Sequence, residues 1–497
     1  MHLSRLLGAA LVLTSAIAVS SSASGSASGS GSADAARRYL AEHGTAQATF
    51  FPGDLGSTPR ATCDAGSRPE PGVQGRVPAA DYANGRAARG YLCNATVVSH
   101  VGTNGGFRVE RYVDRAGHVC AFYDSTLLFP RDATDDTPGT YVLDMSDPRH
   151  PVRTDVLQSP AMITPHESLR LNARRGLLVA NAGSATTQVG FVDVWDVSQD
   201  CRKPVIQSTL PLALLGHEGG FSPDGMTYWA STTFTGGLTA IDLRNPALPS
   251  VVWRSTDYTV HGLSISDDGN RAYLANPTGT FVSATTQGGG GMLVLDVSQI
   301  QRRVPNPAVH VVSSLTWPEV TIPQNVLPVT IKGRKYAVEF DEYDSNVYSF
   351  TPNENVGGVH IIDLSDERHP RLVSRIRLAV FNAKEREQLA GDPGATSVGQ
   401  GYAAHYCNVP TRNDPGILAC SMILSGLRVF DIRDPLHPRE VAYANQPVVA
   451  ARNPARTGAY AMSAPAFVRQ TRQVWYTDAN TGFFAVQLSP KAWPGRP

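Results

Sequence analysis

The chain has 497 residues, with 43 basic and 43 acidic side chains. That balance argues against a basic nucleic-acid surface and against electrostatic docking on a membrane. With 45 glycines, 35 prolines and only 7 methionines, the composition suits turn-rich all-β structure rather than helices.

In chain order, the first feature is "MHLSRLLGAALVLTSAIAVSSSASGSASGSGSADAA". Arg5 precedes a short apolar run, Leu6 to Val19, and small residues follow. The run is too short to span a bilayer and lacks stop-transfer charges, so residues 1–27 read as a secretory signal peptide. Residues 28–90 read as a flexible N-terminal segment, opening with a Ser/Gly run. No later stretch has the length and apolarity of a transmembrane helix. Six cysteines fit an exported, oxidised protein. Cys407 and Cys420 flank "NVPTRNDPGILA", whose turn residues would bring them opposite each other in a hairpin. The pairing of Cys63, Cys93, Cys120 and Cys201 is left open.

From residue 91 to 490 one pattern recurs: an alternating apolar segment, an Asp, an apolar residue and a polar turn. The copies are "YVLDMSDPRHP", "VDVWDVSQD", "LTAIDLRNPALP", "MLVLDVSQ", "VHIIDLSDERHP", "LRVFDIRDPLHP" and a weaker "FFAVQLSP". They align Asp144, Asp196, Asp242, Asp296, Asp363, Asp431 and Gln487. Upstream of each lies a strand pair. "GHEGGF" passes through "SPDG" into "MTYWAS", and "VHGLSI" through "SDDGN" into "RAYLAN", both with hairpin-turn chemistry. A further strand follows each Asp turn. Four short antiparallel strands per unit cannot bury both faces of a sheet alone, but radially stacked sheets can. The expected fold is an all-β, seven-bladed β-propeller, followed by a C-terminal tail at 491–497. The seventh unit lacks its outer strand, and "NATVVSHV", Asn94 to Val101, is expected to supply it and close the ring.

The repeated "VLDVSDP"-like segment resembles the LVIVD repeat of secreted bacterial β-propeller proteins. The stretches "GYAAHYCNVPTRNDPGILACSMILSGLRVFDIRDP" and "PHESLRLNARRGLLVA" look like an actinobacterial branch of that family. The resemblance covers about residues 94–490 and implies a propeller fold and an extracellular or cell-envelope location. It implies no particular reaction.

Innermost propeller strands line the central channel, so their first residues are compared. Blade two offers His166 and Glu167, blade three His217 and Glu218, blade four His261, and blade six His405. Blades five, seven and one offer Gln324 and Asn325, Ser463 and Pro465, and Arg108 and Glu110. The four histidines stand in near-equivalent registers, so radial repetition points them at one axis. Converging imidazoles would suit Cu, Zn or Fe, with Glu167 or Glu218 orienting a ring through its second N–H. The competing reading is a ring of histidines bonded to neighbouring carbonyls, or a simple polar ligand pocket. "EFDEYD", Glu339 to Asp344, places Glu339 and Asp341 on one strand face, read as a solvated strand end with Ca²⁺ as the alternative. Cys407 could reach the axis beside His405, but the hairpin disulfide takes precedence. "QGGGGM", Gln287 to Met292, reads as a flexible loop. Asn94-Ala95-Thr96 matches a glycosylation acceptor, but no glycan is expected on a closing strand. The insertion Val380 to Tyr402 contains "AKEREQLAG", of helical composition, and would lid a channel mouth or form a partner surface.

Two functions follow. The first is a secreted or cell-envelope binding module, with a protein or small-molecule ligand at the channel mouth or loop face. The second is a metal-dependent enzyme of oxidoreductase type built on the four histidines.

Overall fold

The computed structural model describes residues 46–47, 56–125, 138–182, 190–214, 216–232, 237–277, 291–317, 322–342, 356, 358–389, 391–395, 401–447 and 457–493. Seven antiparallel sheets form a ring, a seven-bladed β-propeller. Each blade has four strands hydrogen-bonded in order from the axis outward. Blade one comprises Val109–Val113, Val119–Asp124, Thr140–Asp144 and Val152–Leu157. Blade two comprises Arg170–Asn172, Leu177–Asn181, Gly190–Asp196 and Val205–Ala213. Blade three comprises Glu218–Phe221, Thr227–Ser231, Leu238–Asp242 and Ser250–Ser255, and blade four Leu263–Ile265, Arg271–Asn276, Gly291–Asp296 and His310–Thr316. Blade five comprises Ile322–Ile331, Arg334–Glu342, Val359–Asp363 and Arg371–Ile376. Blade six comprises Cys407–Asn408, Ile417–Ser421, Leu427–Asp431 and Arg439–Asn445.

Blade seven combines both ends of the chain. Its inner strands are Ala466–Val468, Gln473–Asp478 and Gly482–Leu488, and Ala95–Val101 pairs antiparallel with the last of these. The expected closing strand is therefore present. It gives blade seven the four strands of the other blades and joins the N-terminal part of the ring to the C-terminal part.

The period of two in the strands dictates the packing. On the central strands, residues of both parities are apolar, so both faces are buried. The result is an apolar layer in each gap between blades. Phe122 and Val142 of blade one meet Leu178 and Ala180 of blade two. Val338 and Phe340 of blade five meet Leu418 and Phe430 of blade six. Tyr123 and Leu143 of blade one meet Trp475 and Phe483 of blade seven, sealing the ring. At about 25 cal/mol per Å² of apolar surface removed from water, these layers are the main force holding the blades together.

The repeated aspartates end the third strands. Each accepts the backbone N–H two residues on: Asp144 from Ser146, Asp196 from Ser198, Asp242 from Arg244, Asp296 from Ser298, Asp363 from Ser365 and Asp431 from Arg433, at 2.7–3.0 Å. They are Asx turns. The outer strand then pairs with a register shift in every blade. Such bulges add local twist.

Three disulfides are formed. Cys407 and Cys420 face each other across the inner hairpin of blade six, as the flanking turn residues led us to expect. Cys120–Cys201 ties blade one to the Asp196 turn of blade two, and Cys63–Cys93 ties the N-terminal segment to itself.

Residues 56–90, expected within a flexible segment, instead pack on blade six. Buried Arg428 binds Glu70 and Glu440, and its guanidinium lies 4.4 Å from the Tyr443 ring. Tyr91–Cys93 adds a fifth strand to that blade's outer edge. Arg76 bonds Asp392 and Gln388 in the 380–402 insertion, whose Arg386–Leu389 forms a single helical turn. The insertion is thus clasped to the N-terminal segment. Residues 1–27, the expected signal peptide, lie outside the described residues, as do Gln287 to Gly290. Among the described residues no helix is long and apolar enough to cross a membrane.

Candidate metal centre at the propeller axis

Two of the chain segments entering the inner strands are pinned to their blades just where the histidine stands. His405 N–H bonds Ser421 O, and His261 N–H bonds Ala275 O. His166 is carried by a turn in which Ser168 donates to Pro165 O, and it adopts φ +53°. A left-handed backbone at a non-glycine residue costs on the order of 1 kcal/mol and is typically retained where a side chain must be aimed.

The four rings converge. His166, His217, His261 and His405 are all buried, with at most 6% of their surface exposed. His166 and His217 have ring centroids 4.4 Å apart, and His217 and His261 4.9 Å. Phe107 lies 4.2 Å from His166 and 5.5 Å from His405 and completes that side of the circle. Blade five closes the remaining gap with Glu342, whose carboxylate lies 3.0 Å from His405 Nε2 and 3.6 Å from His261 Nε2. Glu167 stands at the centre. Its carboxylate lies 3.2 Å from His217 Nε2, 3.4 Å from His261 Nε2, 3.5 Å from His405 Nε2 and 3.9 Å from His166 Nδ1.

Two rings have their tautomer set by the backbone. His261 Nδ1 donates to Pro323 O at 2.9 Å, and His405 Nδ1 donates to Met462 O at 2.6 Å. A carbonyl can only accept, so the neutral form of each ring carries its lone pair on Nε2, facing the axis. That is the arrangement metal-binding histidines use. His261 Nε2 and His217 Nε2 are 3.0 Å apart. That is a hydrogen-bond distance between the two rings, a little shorter than the roughly 3.4 Å that separates two ligands about 2.1 Å from a tetrahedral ion. His166 Nδ1 is buried without a hydrogen-bond partner.

No protein-family model and no curated protein matches this chain. Among solved structures, hydrazine synthase of Kuenenia stuttgartiensis is similar at 12% identity and a TM-score of 0.49, covering 79% of this chain and 98% of its own. The Cps50 (Swd1) β-propeller domain of Myceliophteria thermophila is similar at 11% identity and 0.48, over 79% and 98%. The periplasmic gluconolactonase PpgL of Pseudomonas aeruginosa gives 13% and 0.43, over 71% and 92%. Likenesses this distant carry nothing about the site.

The expected site residues take three different places. The four histidines and Glu167 come together at the axis. Glu218 sits one layer along the channel instead, bound by Arg108, by Arg170 at 2.5 Å and by Asn325 at 2.5 Å. Gly262 packs against this layer, where a Cβ would overlap the Glu218 carboxylate and the Gln324 carbonyl. Gln324 is the extra residue of a bulge in the inner strand of blade five. The bulge turns its amide onto Glu167. Arg108 also reaches the Glu167 carbonyl, at 2.6 Å. Cys407 is held in its disulfide. Asn94 is buried, and its amide nitrogen donates to Thr62 O and Val441 O.

Glu342 and Phe107 escaped the sequence reading as site residues. Glu342 lay within the singled-out "EFDEYD", but the repeat register compares only inner strands, and Glu342 arrives from a second strand. Phe107 immediately precedes the blade-one position that was compared. Tyr343 and Asp344 lie outside the described residues.

The electrostatics follow from burial and from these contacts. Burial alone would raise the Glu167 carboxyl, but His166, His217 and His261 outweigh it and hold it well below the carboxylate range. Burial, then His217, pushes His166 well below the usual imidazole range. His261 goes the other way: burial opposes its charge, yet Glu342 and Glu167 lift it to about 9. Burial raises Glu218 despite Arg108 and Arg170, and raises Glu110 to about 7 against the same two cations. The axis therefore combines imidazoles and carboxylates without a free thiolate, a donor set suited to Fe, Cu or Zn.

Proposed function

We propose that this protein is an exported, metal-dependent enzyme of oxidoreductase type, with one transition-metal ion at the propeller axis. His166, His217, His261 and His405 would hold it, with Glu167 and Glu342 as the carboxylate donors. The observation that carries this reading is the convergence of the donors on one carboxylate, Glu167, whose two oxygens divide them into two overlapping sets, His166 with His217 and Glu342 with His405. Nε2 of His217, His261 and His405 all lie within 3.5 Å of the Glu167 carboxylate. The Nδ1–H of two of these rings is committed to main-chain carbonyls. Such an ion would supply Lewis-acid or electron-transfer chemistry in a buried site. The protein's own part is to orient the rings, exclude water through Phe107 and neighbouring blades, and keep Glu167 ionised.

Export is supported by the apolar N-terminal run and by three disulfides among the six cysteines. The repeat supports membership of the LVIVD-type propellers. A second reading, as a binding module, rests on a polar cleft of about 450 Å³ between blades four and five, lined by Arg271, Lys335, Glu367 and Asp268.

Metal analysis of protein reconstituted with Fe²⁺, Cu²⁺ or Zn²⁺ and desalted tests the first reading. About one equivalent should depend on the axis and disappear in the His217→Ala, His261→Ala double variant. Absence of such an equivalent would leave the binding-module reading.

A further inference from the structure

A second group of ionisable side chains lies off the axis in blade five. Glu339 and His360 are directly paired neighbours on the second and third strands, and Asp341 follows Glu339 on the same face. All three are buried, with at most 1% exposed. His360 Nδ1 is 2.7 Å from Glu339 Oε2 and 3.6 Å from Asp341 Oδ2. One candidate ligand atom from each residue lies within 4.8 Å of the others. This face looks toward blade four, where Val326, Ala337 and Ile362 form the apolar layer with Tyr273 and Val294. The acidic group continues that layer, and the Trp317 indole stacks on His360 with centroids 4.4 Å apart.

Carboxylates cost several kcal/mol to bury unless a cation or a full set of donors compensates. His360 serves only one oxygen of Glu339. The other, Oε1, receives no donor, and burial together with the adjoining Asp341 carboxyl pushes Glu339 well above the carboxylate range, so without an ion the pair is relieved only by holding a proton. The cation nearest by register is Arg375, opposite His360 on the outer strand. An orphaned, fully buried carboxylate oxygen beside a second carboxylate and an imidazole has the chemistry of a ligand set.

We propose that Glu339, Asp341 and His360 bind a divalent first-row metal ion, such as Zn²⁺ or Mn²⁺, between blades four and five. The imidazole disfavours Ca²⁺, which takes oxygen ligands. The site is separate from the axis, although one strand serves both. Asp341 faces the blade-four gap while its neighbour Glu342 reaches His405, as alternation along a strand requires. The ion would fix the Arg334–Glu342 strand end that presents Glu342.

The test is the zinc content of the full chain, stripped, reloaded with Zn²⁺ and desalted. Wild type should hold two equivalents, and Glu339→Gln with Asp341→Asn should hold one. The His217→Ala, His261→Ala variant should also hold one, and the combination none. If the blade-five variant retains the wild-type count, the inference is overturned. If wild type holds one equivalent that only the blade-five variant loses, the axial reading fails and this one stands. Should the blade-five variant not fold, wild type decides. Co²⁺ should then quench the component of tryptophan emission that Trp317→Phe removes, and its persistence would overturn the proposal.

Discussion

Binding of a metal at the axis should release about one proton per ion at pH 7. The source is His261. With its Nδ1–H held by Pro323 O, its titrating proton sits on Nε2, the atom an ion would take. Glu342 and Glu167 overcome burial and raise this ring to about 9. Removing the proton at pH 7, about two units lower, costs about 2.7 kcal/mol at about 1.36 kcal/mol per unit. Affinity should therefore climb about tenfold per pH unit, roughly 100-fold from pH 7 to 9, and level off above that. Calorimetric titration of metal-stripped protein, in two buffers of different ionisation enthalpy and with a chelator setting the free ion, measures both quantities. Glu342→Gln removes a carboxylate that lifts the ring, so its rise should end at lower pH. The same shift has a stability consequence. The folded value lies above the unfolded value of about 6.5, so the metal-free fold holds this stabilisation in full below about pH 6.5 and loses it as pH rises through 9. The loss is about 3.4 kcal/mol at most, or several degrees of Tm for a domain of this size. A flat affinity between pH 6.5 and 9 without buffer dependence would refute the reasoning.

Other expectations concern the frame that holds the site. Deleting residues 90–102 strips the outer strand from blade seven and should lower Tm sharply; an unchanged Tm would sink the closure argument. Replacing Arg428 with Met strands Glu70 and Glu440 in the interior. It should cost about 3–5 kcal/mol in urea unfolding and expose residues 56–93 to proteolysis, whereas adding Glu70→Gln and Glu440→Gln should recover part of the loss. Serine substitution of both Cys120 and Cys201, 81 residues apart, should cost about 4–5 kcal/mol by loop entropy, against about 3 for Cys407 and Cys420; equal effects would contradict the loop-length account. Gly262→Ala should abolish axial metal retention, since its Cβ would displace the layer under Glu167, and normal metal content would show that this layer does not support the site.

Much of this molecule was legible because it repeats. The Asp turns, the hairpin dipeptides and the missing seventh outer strand all recur at one register, so each copy checks the others. The convergence of four histidines followed from the same register. What repetition could not reveal lies outside it. Glu342 enters from a second strand, and Gln324 is aimed by a bulge that counting along the sequence does not register. His360 joins Glu339 only through cross-strand pairing. The packing of residues 56–90 includes one buried arginine that meets Glu440 on the neighbouring strand and the distant Glu70, a contact with no local signature. Glu167 and Glu218 follow histidines in the same way, yet one lies among imidazoles and the other among guanidiniums. Their fates depend on Arg108, Arg170 and Asn325 in other blades.

Those blades also explain why the ring is not symmetric at its centre. Seven equivalent histidines would crowd the axis with more rings than one ion can coordinate. Blades two, three, four and six supply imidazoles, and each of the others supplies something the imidazoles need. Blade five supplies Gln324, which bonds the central carboxylate, and Glu342, which faces His405 and His261. Blade one supplies Phe107, which packs on two rings, and Arg108, which holds the Glu167 main chain and balances Glu218. The loop entering blade seven supplies the Met462 carbonyl that orients His405. A merely structural histidine ring would need no such division of labour, because each imidazole could bond its own neighbour's carbonyl. Here two rings do so through Nδ1, and their Nε2 atoms remain directed at a shared carboxylate. Breaking the repeat at these three blades therefore supports selection for a centre rather than for packing alone, and substituting Gln324 with Leu should weaken axial metal retention while leaving the blade-five equivalent in place.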